Sequence, residues 1–147
     1  MNNAPVGCKI TTIENYDKRI RLPAKNFKRA GKESDITLVR GGCAGSYEGA
    51  CGPYDFVFMD AAKGQYIHYL PEVTRLLAEG GVLVSDNVLQ DGDVIESRYA
   101  VERRNRTIHS RMREYLFELK HSDIYETSIL PLGDGIALSV KRRTSEK

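Results

Sequence analysis

Asp60, Asp86 and Asn87 carry oxygen donors, and they stand directly after two short apolar runs. Phe56-Val57-Phe58-Met59 leads into Asp60, and Val82-Leu83-Val84-Ser85 leads into Asp86-Asn87. Oxygen-only ligands suit a hard divalent cation such as Mg2+. Lys63 follows Asp60 by three residues. A lysine beside a cation in a partly dry cleft is pushed toward its neutral form. It can then act as general base on a hydroxyl that the metal has acidified. Glu14 closes a further run, Lys9 to Ile13, and an acid there can accept hydrogen bonds from both hydroxyls of a ribose. Each residue also has a plainer use. A strand-end acid can cap the next helix, and Lys63 can be a solvated lysine at a helix start. Capping alone explains a single such acid better than it explains D-x-x-K and S-D-N on neighbouring strands.

These side chains meet only if the strands place them at one edge. Both runs read as buried parallel strands, apolar throughout because helices cover both faces. Open α/β sheets carry their sites beyond the carboxyl ends of such strands. The rest of the chain alternates accordingly. A helix is expected over Asp17 to Ala30, with Pro23 kinking it or delaying its start. A second strand follows at Ile36 to Val39, then a glycine-rich loop from Arg40 to Pro53. Gly64 to Ala78 reads as a helix that Pro71 breaks in two and Gly80-Gly81 ends. Residues 88 to 100 read as a loop with Asp91, Asp93 and Glu96. Arg104 to Lys120 places Ile108, Met112, Tyr115, Leu116 and Leu119 on one helical face. Tyr125 to Leu130 and Ile136 to Lys141 read as a closing antiparallel hairpin. One domain over residues 1–147 is expected, and 147 residues suffice for a core.

Composition is that of an ordinary globular chain, 41% hydrophobic and 29% charged, with net charge +2. That balance decides nothing about nucleic acid, but the distribution is uneven. Arg98, Arg103, Arg104, Arg106, Arg111 and Arg113 fall in one short stretch where only Glu102 opposes them. Such a patch can contact tRNA phosphates, or form a solvated helix face paired to Glu114 and Glu118. Cys8, Cys43 and Cys51 have no C-x-x-C spacing, which fits reduced thiols and a cytoplasmic location. No apolar stretch approaches the ~20 residues that a membrane span needs. His68, His109 and His121 are too scattered for zinc, and structural or surface roles are expected for them.

Three segments together resemble one family. They are Y-D-F-V-F-M-D-A-A-K-G-Q-Y (54–66), V-S-D-N-V-L (84–89) and T-S-I-L-P-L-G-D-G-I-A-L-S (127–139). They are similar to the cation-dependent O-methyltransferases of the catechol and caffeoyl-CoA type. The closest forms are those of the bacterial branch that methylates 5-hydroxyuridine in tRNA. The resemblance implies a Rossmann-like fold with a mostly parallel sheet and a C-terminal antiparallel hairpin. It implies S-adenosylmethionine as methyl donor and Mg2+ or Mn2+ as metal. Asp60, Asp86 and Asn87 match the metal ligands, and Lys63 the catalytic lysine. Asp60 also lies near the methionine part of the donor, Glu14 matches the ribose-binding acid, and the backbone at Cys43 matches the adenine contact. A homodimer is expected.

The chain also departs from that pattern. The family's first strand and its glycine-rich turn, roughly E-I-G-T-x-x-G-Y-S, have no counterpart here. The absent strand would lie between those ending at Glu14 and Asp60, so its loss should leave two open edges. Gly41-Gly42-Cys43 replaces the usual G-D-A and removes a carboxylate. Weak donor binding by this polypeptide alone is therefore expected. Two other readings stand beside the tRNA enzyme: a small-molecule catechol-type O-methyltransferase, and a truncated, inactive remnant serving as a binding or dimerisation module.

Overall fold

Ile10–Glu14 and Ile36–Arg40 form strands β1 and β2, joined by helix α1 (Asp17–Arg29). The computed structural model describes residues 5, 7–14, 16–41 and 52–144. It divides into two units, Met1–Cys51 and Gly52–Lys147. In the first unit β1 and β2 pair in parallel, from Ile10 opposite Ile36 to Glu14 opposite Arg40. A parallel pair requires a crossover, and α1 supplies it. α1 starts at Asp17 and runs through Pro23, so the proline does not delay its start. Its missing N–H removes one hydrogen bond from the helix without ending it. Lys9 Nζ lies 3.0 Å from Asp35 Oδ1 and ties the start of β1 to the approach to β2. That hydrogen bond holds the Asp35 carboxyl below its ordinary value.

The second unit contains β3 (Tyr54–Met59), α2 (Tyr66–Leu76), β4 (Leu77–Asp86), α3 (Arg106–His121), β5 (Tyr125–Leu130) and β6 (Ile136–Lys141). Its sheet order is β3-β4-β6-β5. β3 and β4 are parallel, while β6 runs antiparallel to both β4 and β5. The hairpin has the bounds that its sequence pattern predicts. Among the described residues β1 pairs only with β2, and β3 only with β4, so each has an unpaired side.

Three local expectations are corrected. Pro71 lies inside a continuous α2 and does not split it. A short 3-10 turn at Lys63–Gln65 precedes that helix. β4 begins at Leu77, well before Val82. Leu77 leaves the helix in extended backbone (φ −81°, ψ 131°), is buried, and pairs with Tyr54. The register then shifts so that Phe56 faces Val82. Gly80-Gly81 thus lie within the bulged stretch of a strand, where Gly80 takes φ 76°. A bulge with a left-handed glycine is a common way to absorb extra residues.

The third correction concerns cover. Leu83, Ser85, Ala137, Ser139 and Thr127 are buried on one side of the sheet. α2 and α3 pack together, α3 packs on β5, and both helices bury their apolar faces. Phe56 and Phe58, opposite Val82 and Val84, remain 58% and 57% exposed. β3 is an edge strand, so its apolar sequence does not bring cover on both faces. On α3, Ile108 is turned outward while His109 is buried with Met112, Tyr115, Leu116 and Leu119.

Two buried hydroxyl pairs cross this core. Tyr115 Oη and Ser85 Oγ are 2.5 Å apart, and Thr127 Oγ1 and Ser139 Oγ are 2.8 Å apart. Burial raises both the Tyr115 and the Tyr125 phenols above the ordinary tyrosine value, although Ser85 and Thr74 pull the other way. Raised folded-state values mean that this stability is whole below about pH 10 and is lost as pH climbs further. Alkaline unfolding should therefore coincide with the rise in phenolate absorbance. Full phenolate absorbance with intact circular dichroism would contradict this.

Candidate active site at the ends of β3 and β4

Asp60 follows the last residue of β3, and Asp86 is the last residue of β4. The parallel pairing ends one step earlier, at Met59 opposite Ser85. Both acids are therefore delivered to the same edge of the sheet, as their positions after the apolar runs predict. Lys63 opens the 3-10 turn that follows β3. Its side chain is 24% exposed and reaches back across the strand ends. Nζ lies 2.8 Å from Asn87 Oδ1, 3.3 Å from Asp60 Oδ1, 3.2 Å from the Asp86 carbonyl oxygen and 3.1 Å from Tyr66 Oη.

Asn87 holds its place by an unusual backbone. Its φ is 53°, in the left-handed region. Asparagine is among the few residues besides glycine that enter this region readily. The same side chain thus satisfies the turn and offers a carboxamide oxygen. Asp86 Oδ1 accepts the Asn87 N–H at 2.8 Å, which fixes one of its two carboxylate oxygens. The following residues are pinned to the β5–β6 turn. Val88 N–H donates to the Gly135 carbonyl and Leu89 N–H to the Asp134 carbonyl, both at 3.0 Å. Asp91 N–H donates to the Asp134 carboxylate.

Residues 88–100 are correspondingly more ordered than a plain loop. They include a 3-10 segment at Gln90–Ile95, with Val88 and Val94 buried. His109 Nε2 lies 3.2 Å from the Glu96 carbonyl, and Arg113 donates to the Val94 carbonyl at 3.0 Å. His109 Nδ1 is buried without a partner among the described residues.

The fit to a divalent cation can be judged from Lys63. Its ammonium stands where a positive charge is stabilised by oxygens from both strand ends. A carboxylate, a carboxamide and a main-chain carbonyl converge on it, and none is a soft ligand, while the Asp86 carboxylate accepts the Asn87 N–H. Among the described residues no three His, Cys, Asp or Glu side chains cluster as a ready cage, so the set depends on Asn87. These residues fit a hard cation.

The other sequence candidates are placed differently. Glu14 ends β1 in the first unit, and its Oε1 accepts the Tyr16 N–H at 2.9 Å. Gly42, Cys43 and Cys51 lie outside the described residues. Arg106 and Arg111 donate to the carbonyls of Val101 and Gly64, as Arg113 does to that of Val94. Arg98, Arg103 and Arg104 are exposed, and Arg104 pairs with Glu102 at 2.7 Å. Among the described residues no helix is long and apolar enough to cross a membrane.

Two contributors were not legible as site residues. Tyr66 enters the sequence reading only as the last residue of the segment 54–66, yet its hydroxyl touches both strand ends. Gly135 reads as a turn glycine, yet it abuts the segment that follows Asn87. The usable signal was Tyr66 standing three residues after Lys63, one helical turn away.

Comparison with known proteins agrees with this architecture. A family model described as O-methyltransferase matches residues 2–142. Caffeoyl-CoA O-methyltransferase 2 of Populus trichocarpa is 32% identical over 138 residues, covering 85% of this chain and 52% of that protein. A catechol O-methyltransferase of Mycobacterium tuberculosis is 31% identical over 140 residues, covering 91% of this chain and 61% of that protein. The crystal structure of a Staphylococcus aureus protein assigned as a caffeoyl-CoA O-methyltransferase superposes with a TM-score of 0.81 at 29% identity. It covers 90% of this chain and 64% of that one. The chain thus spans little more than half to under two thirds of the length of these three proteins. Its α/β architecture, parallel strand pairs followed by an antiparallel hairpin, is the Rossmann-like methyltransferase fold of these neighbours. From residue 2 to residue 142 the chain belongs to the O-methyltransferase family.

Proposed function

We propose that this chain carries the metal- and substrate-holding half of a cation-dependent O-methyltransferase centre, with S-adenosylmethionine as methyl donor. The observation that carries the reading is the meeting of Asp60 Oδ1 and Asn87 Oδ1 within 3.3 Å of Lys63 Nζ. Asp60, Asp86 and Asn87 would hold Mg2+ or Mn2+, which supplies the charge that acidifies a chelating hydroxyl. Lys63 takes the hydroxyl proton on Nζ. Asp60 orients that amine through the 3.3 Å contact, and Tyr66 through the 3.1 Å contact. Glu14 and the Cys43 backbone serve the ribose and adenine of the donor. Little covalent chemistry falls to the protein, so positioning and charge placement supply the rate.

The substrate offers two neighbouring oxygens, one of them a hydroxyl. The 5-hydroxyl and 4-carbonyl of a 5-hydroxyuridine in tRNA form such a pair, and the exposed Arg98, Arg103 and Arg104 favour a polyanionic partner. A catechol is the second reading, favoured by the relatives of that name. The cytoplasmic location and the homodimer belong to the same proposal. A form of the chain completed with the family's first strand and glycine-rich turn, incubated with labelled S-adenosylmethionine, Mn2+ and either tRNA bearing 5-hydroxyuridine or a catechol, tests the reading. Label must appear in one of them and vanish with a chelator. Transfer to neither, or transfer indifferent to chelation, would sink it.

The basic patch makes a separate prediction. Replacing Arg103 and Arg104 together by alanine should weaken tRNA binding and reduce its salt slope by about 2. A salt series identical to that of the unsubstituted chain would remove tRNA as a partner of this face.

A further inference from the structure

The β3–β4 ladder stops at Met59 opposite Ser85, one residue short of Asp60 and Asp86. Asp60 lies past the end of β3, and no pair of the ladder includes it. Tyr66 stands at this end of the ladder. Its hydroxyl is 3.1 Å from the Met59 carbonyl on β3 and 3.1 Å from the Asp86 carbonyl on β4. It also lies 3.3 Å from the Ala61 N–H and 3.1 Å from Lys63 Nζ. A phenol has one proton and two lone pairs. The lone pairs can accept from Ala61 and Lys63, and the proton is shared between the two carbonyls. One hydroxyl thus links the end of β3 to the end of β4 beside the last pair of their ladder.

The ring is held rigidly for this task. Tyr66 is fully buried and meets Tyr115 edge-on, with ring centroids 5.4 Å apart at 81°. Its position on the first turn of α2 is therefore set by core packing, independently of any ligand.

We propose that Tyr66 is the positioning residue of this centre. Its hydroxyl sets the separation of the β3 and β4 ends, and so the spacing of Asp60, Asp86 and Asn87 as a cation site. This inference rests on the metal-holding reading above. Groups that orient metal ligands from behind typically change metal affinity by about 10–100-fold when removed.

Tyr115 supplies a matched control. Its hydroxyl is also buried and also bonded, to Ser85, but no hydrogen bond joins it to Lys63, Asp60 or Asn87. The full chain and its Tyr66→Phe and Tyr115→Phe variants would be titrated with Mn2+, following free Mn2+ by electron paramagnetic resonance, alongside thermal melts. Tyr66→Phe should fold and bind Mn2+ about 10–100-fold more weakly. Tyr115→Phe should lose comparable stability and keep its affinity. Equal Mn2+ affinity in Tyr66→Phe and the unsubstituted chain would overturn the inference while leaving the metal reading intact. So would equal weakening in both variants, or failure of Tyr66→Phe alone to fold, since the hydroxyl would then serve the fold at large. An unsubstituted chain that binds no Mn2+ would remove the metal reading and the inference with it.

Discussion

In a form completed with the donor-binding strand and turn, replacing Lys63 by methionine is expected to lower methyl transfer by about 10²–10⁴-fold, the usual contribution of a positioned general base. Methionine keeps an unbranched chain of similar length, so the packing against the strand ends survives. It loses the one nitrogen that reaches Asp60, Asn87, the Asp86 carbonyl and Tyr66 at 2.8–3.3 Å. The same substitution should leave Mn2+ affinity undiminished or tighten it. The ammonium draws on the oxygens that a divalent cation needs, and two like charges so close repel. A ligand and a base are thereby told apart. Substituting Asn87 or Asp86 by alanine should abolish metal binding, whereas Lys63→Met should spare it. Parallel loss of turnover and Mn2+ binding in Lys63→Met would show that the lysine organises the site and is not its base.

The second large effect is expected at Gly135. Its φ is 81°, and an added Cβ would stand 2.2 Å from Leu89 Cγ and 2.8 Å from Leu89 Cβ. Leu89 cannot simply retreat, because its N–H is bonded to the Asp134 carbonyl and that of Val88 to the Gly135 carbonyl. The left-handed backbone costs an alanine about 1–2 kcal/mol. Overpacking adds about 1–3 kcal/mol. Gly135→Ala should thus destabilise the chain by about 2–5 kcal/mol. Gly133 separates the two contributions. It has φ 56°, but a Cβ added there would meet nothing within 4 Å, so Gly133→Ala should show the backbone cost alone. Urea denaturation of both variants measures the difference. Equal destabilisation would mean that Leu89 moves freely and that the turn does not clamp the segment after Asn87. Because that segment begins one residue beyond Asn87, Gly135→Ala should also weaken Mn2+ binding.

Both predictions concern contacts between distant parts of the chain, and this marks how far the sequence could be read. The placing of Asp60, Lys63, Asp86 and Asn87 was legible because each follows directly from its own strand. A short apolar run forms a strand, parallel strands share a carboxyl edge, and a lysine three residues on returns to that edge. The hairpin bounds were legible for the same reason, since alternation and a glycine-rich turn are local signals. The prolines misled because their cost is local, whereas tertiary packing decides whether the helix survives it. α2 buries Tyr66, Tyr69, Val73 and Leu76, and this packing keeps the helix whole through Pro71. The early start of β4 depends on Leu77 finding Tyr54 across the sheet.

Sequence alone determined which atoms do the proposed chemistry: three oxygen-bearing side chains and an amine, at one edge of an α/β sheet. Tertiary structure alone decided how those atoms are held. Tyr66 bridges two strands at the end of their ladder, and Gly135 admits Leu89 where any side chain would collide. Neither follows from spacing, because only the hydrogen bonds within a helix are set by neighbours in the chain. The distance between two strand ends is set by whatever packs across them.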